Sequence, residues 1–227
     1  MGAKEFKNLS RLHLSPKLKE MGWNGDGFNF YKTTNNIIQI FGIYGSWIGG
    51  TIYCETAIHF NLIPDLTGNI QPAKIRFNNC LIRERLTRNG FGSSGWKLKE
   101  KVEDNISSIL QIQNSFEKFG LEFYKEFENF PKPFDSINPE DIQTKRNLKV
   151  LEKYYIHNEI YFLWLLLEIN CKMKRLNVAN QFSQIGLEKV NIHFQKLISN
   201  IKDDKQKLIT EENWKIMKEN FRIKNCV

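Results

Sequence analysis

The chain has 227 residues, of which 41% are hydrophobic and 26% charged, and this composition excludes an intrinsically disordered protein. The length allows one large domain or two small ones. The net charge of +8 and the pI near 9.2 are basic, but the lysines and arginines are spread along the chain, which is more typical of a solvated surface than of a nucleic-acid-binding tract.

The first 60 residues predict two helices followed by antiparallel strands. Ser15-Pro16 is a good start for the second helix, and Gly22 is suited to end it. After the turn sequence Asn24-Gly25-Asp26-Gly27, strands are predicted near 28–32, 37–44 and 51–60, because these runs are β-branched, aromatic or alternating. Their short connections favour antiparallel pairing, since parallel pairs need long crossovers.

The next 70 residues complete the predicted first domain. A fourth strand is expected near 73–80, followed by a glycine-rich loop and a helix over about 100–119 that ends at Gly120. Pro131-Lys132-Pro133 then marks a boundary. These elements predict an α+β domain over 1–130, with an antiparallel sheet of about four strands and flanking helices.

The remaining residues predict an all-helical C-terminal region over 138–227. Asn138-Pro139 is a strong helix start, and helices are expected near 139–153, 155–171, 175–200 and 210–222. The apolar run over 160–167 is shorter than the roughly 20 residues that span a bilayer, so a buried helix is expected and no membrane association.

The cysteines and the N-terminal residues favour the cytoplasm. Cys54, Cys80, Cys171 and Cys226 form no Cys-x-x-Cys pair and fit no zinc pattern, which favours free thiols in a reducing compartment. The first residues lack the apolar core of a signal peptide.

No pattern in the sequence predicts catalysis, a metal site or a cofactor. The four histidines have no metal-binding spacing. The run 90–95 matches the letters of a dinucleotide fingerprint, but it does not stand between a clear strand and a tightly following helix, so we expect a flexible loop. Glu55 and His59 share a strand face but lie about 13 Å apart along it. We therefore expect a protein that is not an enzyme.

The most distinctive surface candidates are arginines and tryptophans. Arg83 and Arg85 lie close together in what the sequence predicts to be a loop-rich region, and Trp47 and Trp96 stand near strand ends. Arginine beside aromatic rings can bind phosphate, a carboxylate or a protein. These four residues are the predicted binding residues, and a solvated patch paired around Glu84 is the alternative.

The order of several motifs resembles a bacterial family catalogued as domain of unknown function 4304. The resemblance covers about residues 3–130 and implies an α+β fold but no activity. Small bacterial domains of this kind often occur beside toxin–immunity loci, and the comparison with them is by analogy. The matching motifs are Leu18-Lys19-Glu20-Met21-Gly22-Trp23, Phe28-x-Phe30-Tyr31, Ile37 to Tyr44, Ser46-Trp47, Cys80 to Arg85, Trp96 and Gly120-Leu121-Glu122-Phe123.

Three hypotheses about function follow. The first is a non-enzymatic protein-binding module, in its narrower form an immunity-type partner of a toxin. The second is nucleic-acid binding, suggested by the basic pI and the aromatic content. The third is an enzyme with a composite pocket built from Glu55, His59 and Arg83.

Overall fold

The computed structural model describes residues 1–34, 36–144, 152–154, 156 and 158–222. The chain forms two compact units, Met1–Phe130 and Pro131–Val227. The first is α+β and the second is helical, as the sequence predicts. Nowhere in these described ranges is a helix both long and apolar enough to cross a membrane.

The first unit is built on an antiparallel sheet of seven strands. The main path runs in sequence order from β1 to β6, and β7 pairs with β4. The two longest strands, β3 and β4, lie at its centre and pair from Ile37↔Phe60 to Gly45↔Ile52. The strands are β1 (Asn24–Asp26), β2 (Asn29–Thr34), β3 (Ile37–Gly45), β4 (Thr51–Phe60), β5 (Ile82–Thr87), β6 (Gly90–Phe91) and β7 (Trp96–Lys97).

The expected count of about four strands is therefore too low. The three additional strands, β1, β6 and β7, are two or three residues long. Strands this short are below the length at which alternation can be recognised, and β1 also lies in the turn sequence Asn24-Gly25-Asp26-Gly27.

The predicted strand over 73–80 is also wrong. Two short 3-10 helices occupy this segment, Pro72–Lys74 and Phe77–Asn79, and the strand follows them as β5. The alternation arose because Ile75 and Phe77 both pack onto the sheet, although the segment does not pair with it. Arg83 and Arg85 consequently lie on a strand and not in a loop.

One face of the sheet, called here the helix face, is covered by the helices α1 (Ala3–His13), α3 (Val102–Ser115) and α4 (Leu121–Lys125). Phe41 of β3 contacts Phe116 with ring centroids 4.5 Å apart, and the Tyr124 hydroxyl donates to the Ile40 carbonyl at 2.6 Å. The short helix α2 (Ser15–Glu20) leads into β1. Gly120 does not end the helical segment as expected, because a π-helical turn over Phe116–Gly120 continues directly into α4.

The opposite face, called here the loop face, is partly covered by the segment that links β4 to β5. Ile75 and Cys80 from this segment pack on Ile38, Ile40 and Ala57 of the sheet. The Asp65 carboxylate holds the segment's first turn by accepting the backbone N–H groups of Thr67 and Asn69. Towards the β3–β4 turn, Phe77 of the same segment packs against this cluster and stacks on Tyr44.

The second unit contains four described helices. They are α5 (Pro139–Thr144), α6 (Glu159–Lys172), α7 (Leu176–Asn200) and α8 (Asp204–Asn220). The last begins earlier than expected, because Asp203 caps it by accepting the Gln206 N–H. Helix α6 is buried on most sides, which agrees with its apolar sequence.

The cysteines differ from one another in state. Cys54 and Cys80 are free and buried, and burial raises the pKa of both thiols. Cys171 is disulfide-bonded, so the expectation of free thiols is wrong for this residue. Spacing along a chain does not report which thiols meet in space. Cys226 lies outside the described residues.

Candidate functional site

The turn between β3 and β4 exposes two large apolar side chains to solvent. Trp47 is 96% exposed and Ile48 is 77% exposed. Gly49 and Gly50 follow with φ angles of 82° and 71°, a left-handed conformation that glycine adopts without steric cost. The turn is closed by the Ser46 N–H, which donates to the Thr51 carbonyl at 2.8 Å. The turn Ser46–Gly50 contains no charged residue.

Behind this turn, on the loop face, lies a hydrogen-bonded group of three side chains. Glu55 is 6% exposed and lies opposite Arg85 in the β4–β5 register. The Arg85 Nε donates to the Glu55 carboxylate at 3.2 Å, and the Tyr44 hydroxyl donates to the same carboxylate oxygen at 3.0 Å. Arg85 also donates to the Tyr44 hydroxyl at 2.8 Å and to the Ser93 carbonyl at 3.3 Å.

The electrostatics of this group keep the charge states of Tyr44 and Arg85 fixed at neutral pH. Burial, together with the negative charge of Glu55, raises the pKa of Tyr44 to about 12. Burial alone would lower the pKa of Arg85, but the hydrogen bonds and charges of Glu55 and Tyr44 outweigh it and raise that pKa. Tyr44 therefore stays a neutral donor and Arg85 a cation, with the guanidinium neutralised by a buried carboxylate.

Aromatic rings extend the group into a patch. Tyr44 and Tyr53 face each other across β3 and β4 with centroids 5.4 Å apart, and Phe77 stacks on Tyr44 at 5.0 Å and 20°. The Arg85 guanidinium lies 4.5 Å from the Tyr53 ring centre. We call Tyr44, Tyr53, Phe77 and Arg85, which are all half-buried, the aromatic–arginine patch.

The structure separates the four predicted binding residues. Arg85 belongs to the patch, and Trp47 stands on the turn next to it. Arg83 lies one same-face position further along β5, opposite Ala57, and is half-buried. Trp96 is 1% exposed and packs in the core opposite Ile52 of β4, so it does not reach this surface.

The residues of the hypothetical composite pocket lie on the same face but in different surroundings. Glu55 and Arg83 are on the loop face near the patch, whereas His59 is buried beside the segment that follows β4. Burial lowers the pKa of His59 to about 4, against the opposing effects of Asp65 and the Ile63 backbone. His59 is therefore neutral at physiological pH, and the Glu55 carboxylate is already held by Arg85 and Tyr44.

Two cavities lie elsewhere. One of about 390 Å³ lies between β2, β3 and α4, and one of about 480 Å³ lies among α6, α7 and α8 of the second unit. Neither is lined by a residue of the patch or of the composite pocket. Across the described part of the chain, no group of three or more His, Cys, Asp or Glu side chains is arranged to hold a metal ion.

Sequence reasoning missed the three aromatic members of the patch. Tyr44 and Tyr53 alternate with buried residues on their strands, so their shared face was readable once the register was known. Phe77 gave no such signal, because its segment was predicted to be a strand. The hydrogen bonds of Tyr44 join residues as far as 41 positions apart, which no local pattern encodes.

Comparison with known proteins returns one match. Residues 14–126 match the family described as Domain of unknown function (DUF4304), which confirms the resemblance inferred from the order of motifs. No curated protein and no solved structure matches the chain. The matched residues extend from the start of α2 to the end of α4 and include the whole aromatic–arginine patch.

Proposed function

We propose that this protein is a non-enzymatic protein-binding module. The description of the matched family assigns no activity, so the proposal is based on the geometry of the first unit. The binding surface comprises the turn Ser46–Gly50 and the adjoining aromatic–arginine patch. The observation that carries the proposal is the exposure of Trp47 and Ile48 at the tip of an otherwise well-packed sheet.

The free-energy cost of leaving Trp47 and Ile48 exposed to water is an argument for a binding partner. Burying a large apolar side chain is worth about 1.5–3 kcal/mol, so an exposed Trp-Ile pair forgoes several kcal/mol in the free protein. The same energy is available to a complex. Tryptophan, tyrosine and arginine are also the residues most enriched at the energetic centres of protein interfaces.

The patch is organised in a way that favours a protein partner over nucleic acid. Three N–H donors of Arg85 are directed to Glu55, Tyr44 and Ser93, and the Glu55 carboxylate neutralises its charge. Nucleic-acid binding depends on free cations that neutralise phosphates. Among the three functional hypotheses, protein binding therefore has the stronger support.

The nucleic-acid hypothesis remains the second candidate because of one observation. Tyr53 and Phe77 are half-buried rings, the guanidinium of Arg85 lies over Tyr53, and such rings can stack with bases. The composite-pocket enzyme has less support, because His59 is buried and Glu55 is already paired.

The narrower form of the proposal is an immunity-type role in which the partner is a toxin encoded by a neighbouring gene. The proposal includes a cytoplasmic location, for which the free, buried thiols of Cys54 and Cys80 are an argument and the disulfide at Cys171 is an argument against. A search for the partner therefore begins with the products of adjacent genes, expressed together with the full chain.

The test compares the truncation of exposed apolar side chains at two different places. The full chain, Trp47→Ala and Ile70→Ala are each used to capture proteins from the native host and products of adjacent genes. Ile70 is a suitable control because it is 73% exposed but lies in the segment between β4 and β5. We expect a stoichiometric partner with the full chain and with Ile70→Ala, and its loss with Trp47→Ala.

Two results would contradict the proposal. Recovery of no protein partner is one, and equal recovery by Trp47→Ala and the full chain is the other. Salt-sensitive recovery of nucleic acid in place of protein would favour the second candidate.

A further inference from the structure

One edge of the strand β5 is only partly covered. On one side the strand pairs with β4 over residues 82–86, but on the other side β6 pairs only with Leu86 and Thr87. Beyond them, the Gly92 N–H donates to the Arg85 carbonyl at 3.0 Å, and the coverage ends there. Backbone groups alternate in direction along a strand, so the N–H and C=O of Arg83 point the same way as the Arg85 carbonyl. Among the described residues of the first unit, no backbone group bonds to them.

The side chains at this edge carry opposite charges on the two faces of the sheet. Arg83 is on the loop face and Glu84 on the helix face, and both are half-buried. Within the described ranges, neither side chain has a hydrogen-bond or ion-pair partner. Burial, with the negative charges of Glu55 and Glu126, raises the pKa of Glu84, so a cation beside it would be favourable.

This charge pattern disfavours a second copy of the chain at the edge. When two copies extend their sheets antiparallel to each other, residues on the same face stand opposite one another. In one register Arg83 would face Arg83 of the other copy, and in the adjacent register Arg83 would face Arg85 and Glu84 would face Glu84. Like charges directly opposite each other destabilise strand pairing. The edge is therefore protected against self-association but not against a strand of complementary charge.

We propose that the protein partner adds an extended strand to the edge of β5 at Ile82–Glu84, with carboxylate side chains on the loop face against Arg83 and lysine or arginine side chains on the helix face against Glu84. This inference rests on the proposed function and supplies its mode of binding. Main-chain hydrogen bonds to Arg83 provide affinity, and the two opposite charges select the partner's sequence.

The mode of binding can be tested with two synthetic peptides of about ten residues, the usual upper length of a strand. Both contain the same numbers of Glu, Lys, Thr and Val residues. In one, Glu and Lys alternate, so an extended chain carries all its carboxylates on one face. In the other, the Glu residues fill the first half and the Lys residues the second. Fluorescence anisotropy gives the affinities for the full chain, and hydrogen exchange of residues 82–85 locates the site.

We expect the alternating peptide to bind at least about tenfold more tightly, a difference of about 1.4 kcal/mol. It should slow exchange of the Arg83 amide. Arg83→Glu should abolish this preference. Arg88→Glu is the matched control, because it makes the same change of charge at an exposed position just after β5.

Equal affinity for the two peptides would overturn the inference. Equal losses in Arg83→Glu and Arg88→Glu would do the same, since they would indicate general electrostatic attraction. The Trp47→Ala variant separates this inference from the proposed function. If Trp47→Ala loses the protein partner and the full chain does not bind the alternating peptide, the strand-addition mode is wrong but the protein-binding proposal is supported. If the peptide binds but no partner depends on Trp47, the surface at the turn is wrong.

Discussion

The buried carboxylate of Glu55 determines how the patch is built. It accepts hydrogen bonds from Arg85 and Tyr44 and faces a strand neighbour that carries the compensating charge. Burying an ion pair brings little net stability, because desolvation offsets most of the attraction. Its effect here is geometric: Arg85 is held over the Tyr53 ring, and the Tyr44 ring is fixed beneath Phe77.

This arrangement predicts unequal costs for removing the two partners. The side chain of Glu55 is 7% exposed and that of Arg85 is 33% exposed. Arg85→Ala leaves a buried carboxylate unpaired and should reduce the free energy of unfolding by about 3–5 kcal/mol. Glu55→Ala leaves a guanidinium that can turn to water, so we expect about 1–2 kcal/mol.

Chemical denaturation of both single variants and of the double variant measures these costs. The double variant should be more stable than Arg85→Ala alone, because it removes the unpaired carboxylate. A Glu55→Ala variant that is less stable than Arg85→Ala would contradict the account.

A second residue links stability to pH. Burial lowers the pKa of His59 to about 4 from 6.5, so between these values the unfolded chain binds a proton that the folded chain does not. Stability conferred by the neutral imidazole is therefore complete above pH 6.5 and is lost as the pH falls towards 4. The loss should approach about 3 kcal/mol, since one pKa unit corresponds to about 1.4 kcal/mol.

The measurement is the free energy of unfolding in urea as a function of pH for the full chain and for His59→Gln. The carboxylates titrate in both proteins, so the difference in slope isolates His59. Hydrogen bonds from Asn69 and Thr67 outweigh burial and lower the pKa of Asp65, which keeps its charge through this range. Parallel curves for the two proteins would contradict the assignment.

At the scale of elements, the patch depends on how closely the segment before β5 approaches β3. Gly42 lies on the loop face directly beneath Phe77, and a Cβ atom at this position would overlap the Phe77 ring. The glycine is therefore needed for space and not for an unusual backbone conformation. Phe77 in turn stacks on Tyr44. The absence of a side chain at Gly42 therefore allows the covering segment to pack on β3 and to place Phe77 in the patch.

Gly42→Ala should therefore displace Phe77 and reduce the free energy of unfolding by about 1–3 kcal/mol, the usual cost of overpacking. Gly92→Ala is the matched control, because its Cβ would meet its nearest neighbour at 3.6 Å, an ordinary contact. Thermal unfolding gives the stabilities, and near-ultraviolet circular dichroism reports the aromatic rings. Equal behaviour of the two variants would contradict the role of Gly42.

The same elements show what the sequence could and could not predict. The long central strands and their antiparallel pairing were predictable, because Ile37 to Tyr44 and Thr51 to Phe60 have clear patterns and short links. The structure of the segment over 73–80 was not predictable. Ile75 and Phe77 alternate because both side chains pack on the sheet, although the backbone of the segment does not pair with a strand. The environment of Glu55 could not be predicted either, since it depends on a strand register that places Arg85, 30 positions away, opposite Glu55.

At the scale of the whole molecule, the first unit has a core of its own. Its sheet is covered on the helix face by α1, α3 and α4 and on the loop face by its own connecting segment. The helix α4 and the turn that follows it are essential to this arrangement, because Tyr124 donates to the Ile40 carbonyl and Phe127 packs near Phe60. The family match ends at residue 126, within the same stretch of chain.

We therefore expect a fragment of residues 1–130 to fold without the second unit and to unfold cooperatively, as domains of this size usually do. A fragment of residues 1–118 is the control. It lacks α4 and leaves Ile40 without its bond from Tyr124 and Phe60 without its contact with Phe127. Calorimetry and near-ultraviolet circular dichroism distinguish a packed core from a collapsed one. A cooperative transition in the longer fragment and none in the shorter one would show that α4 completes the domain. Loss of cooperativity in both would show that the first unit needs the rest of the chain in order to fold.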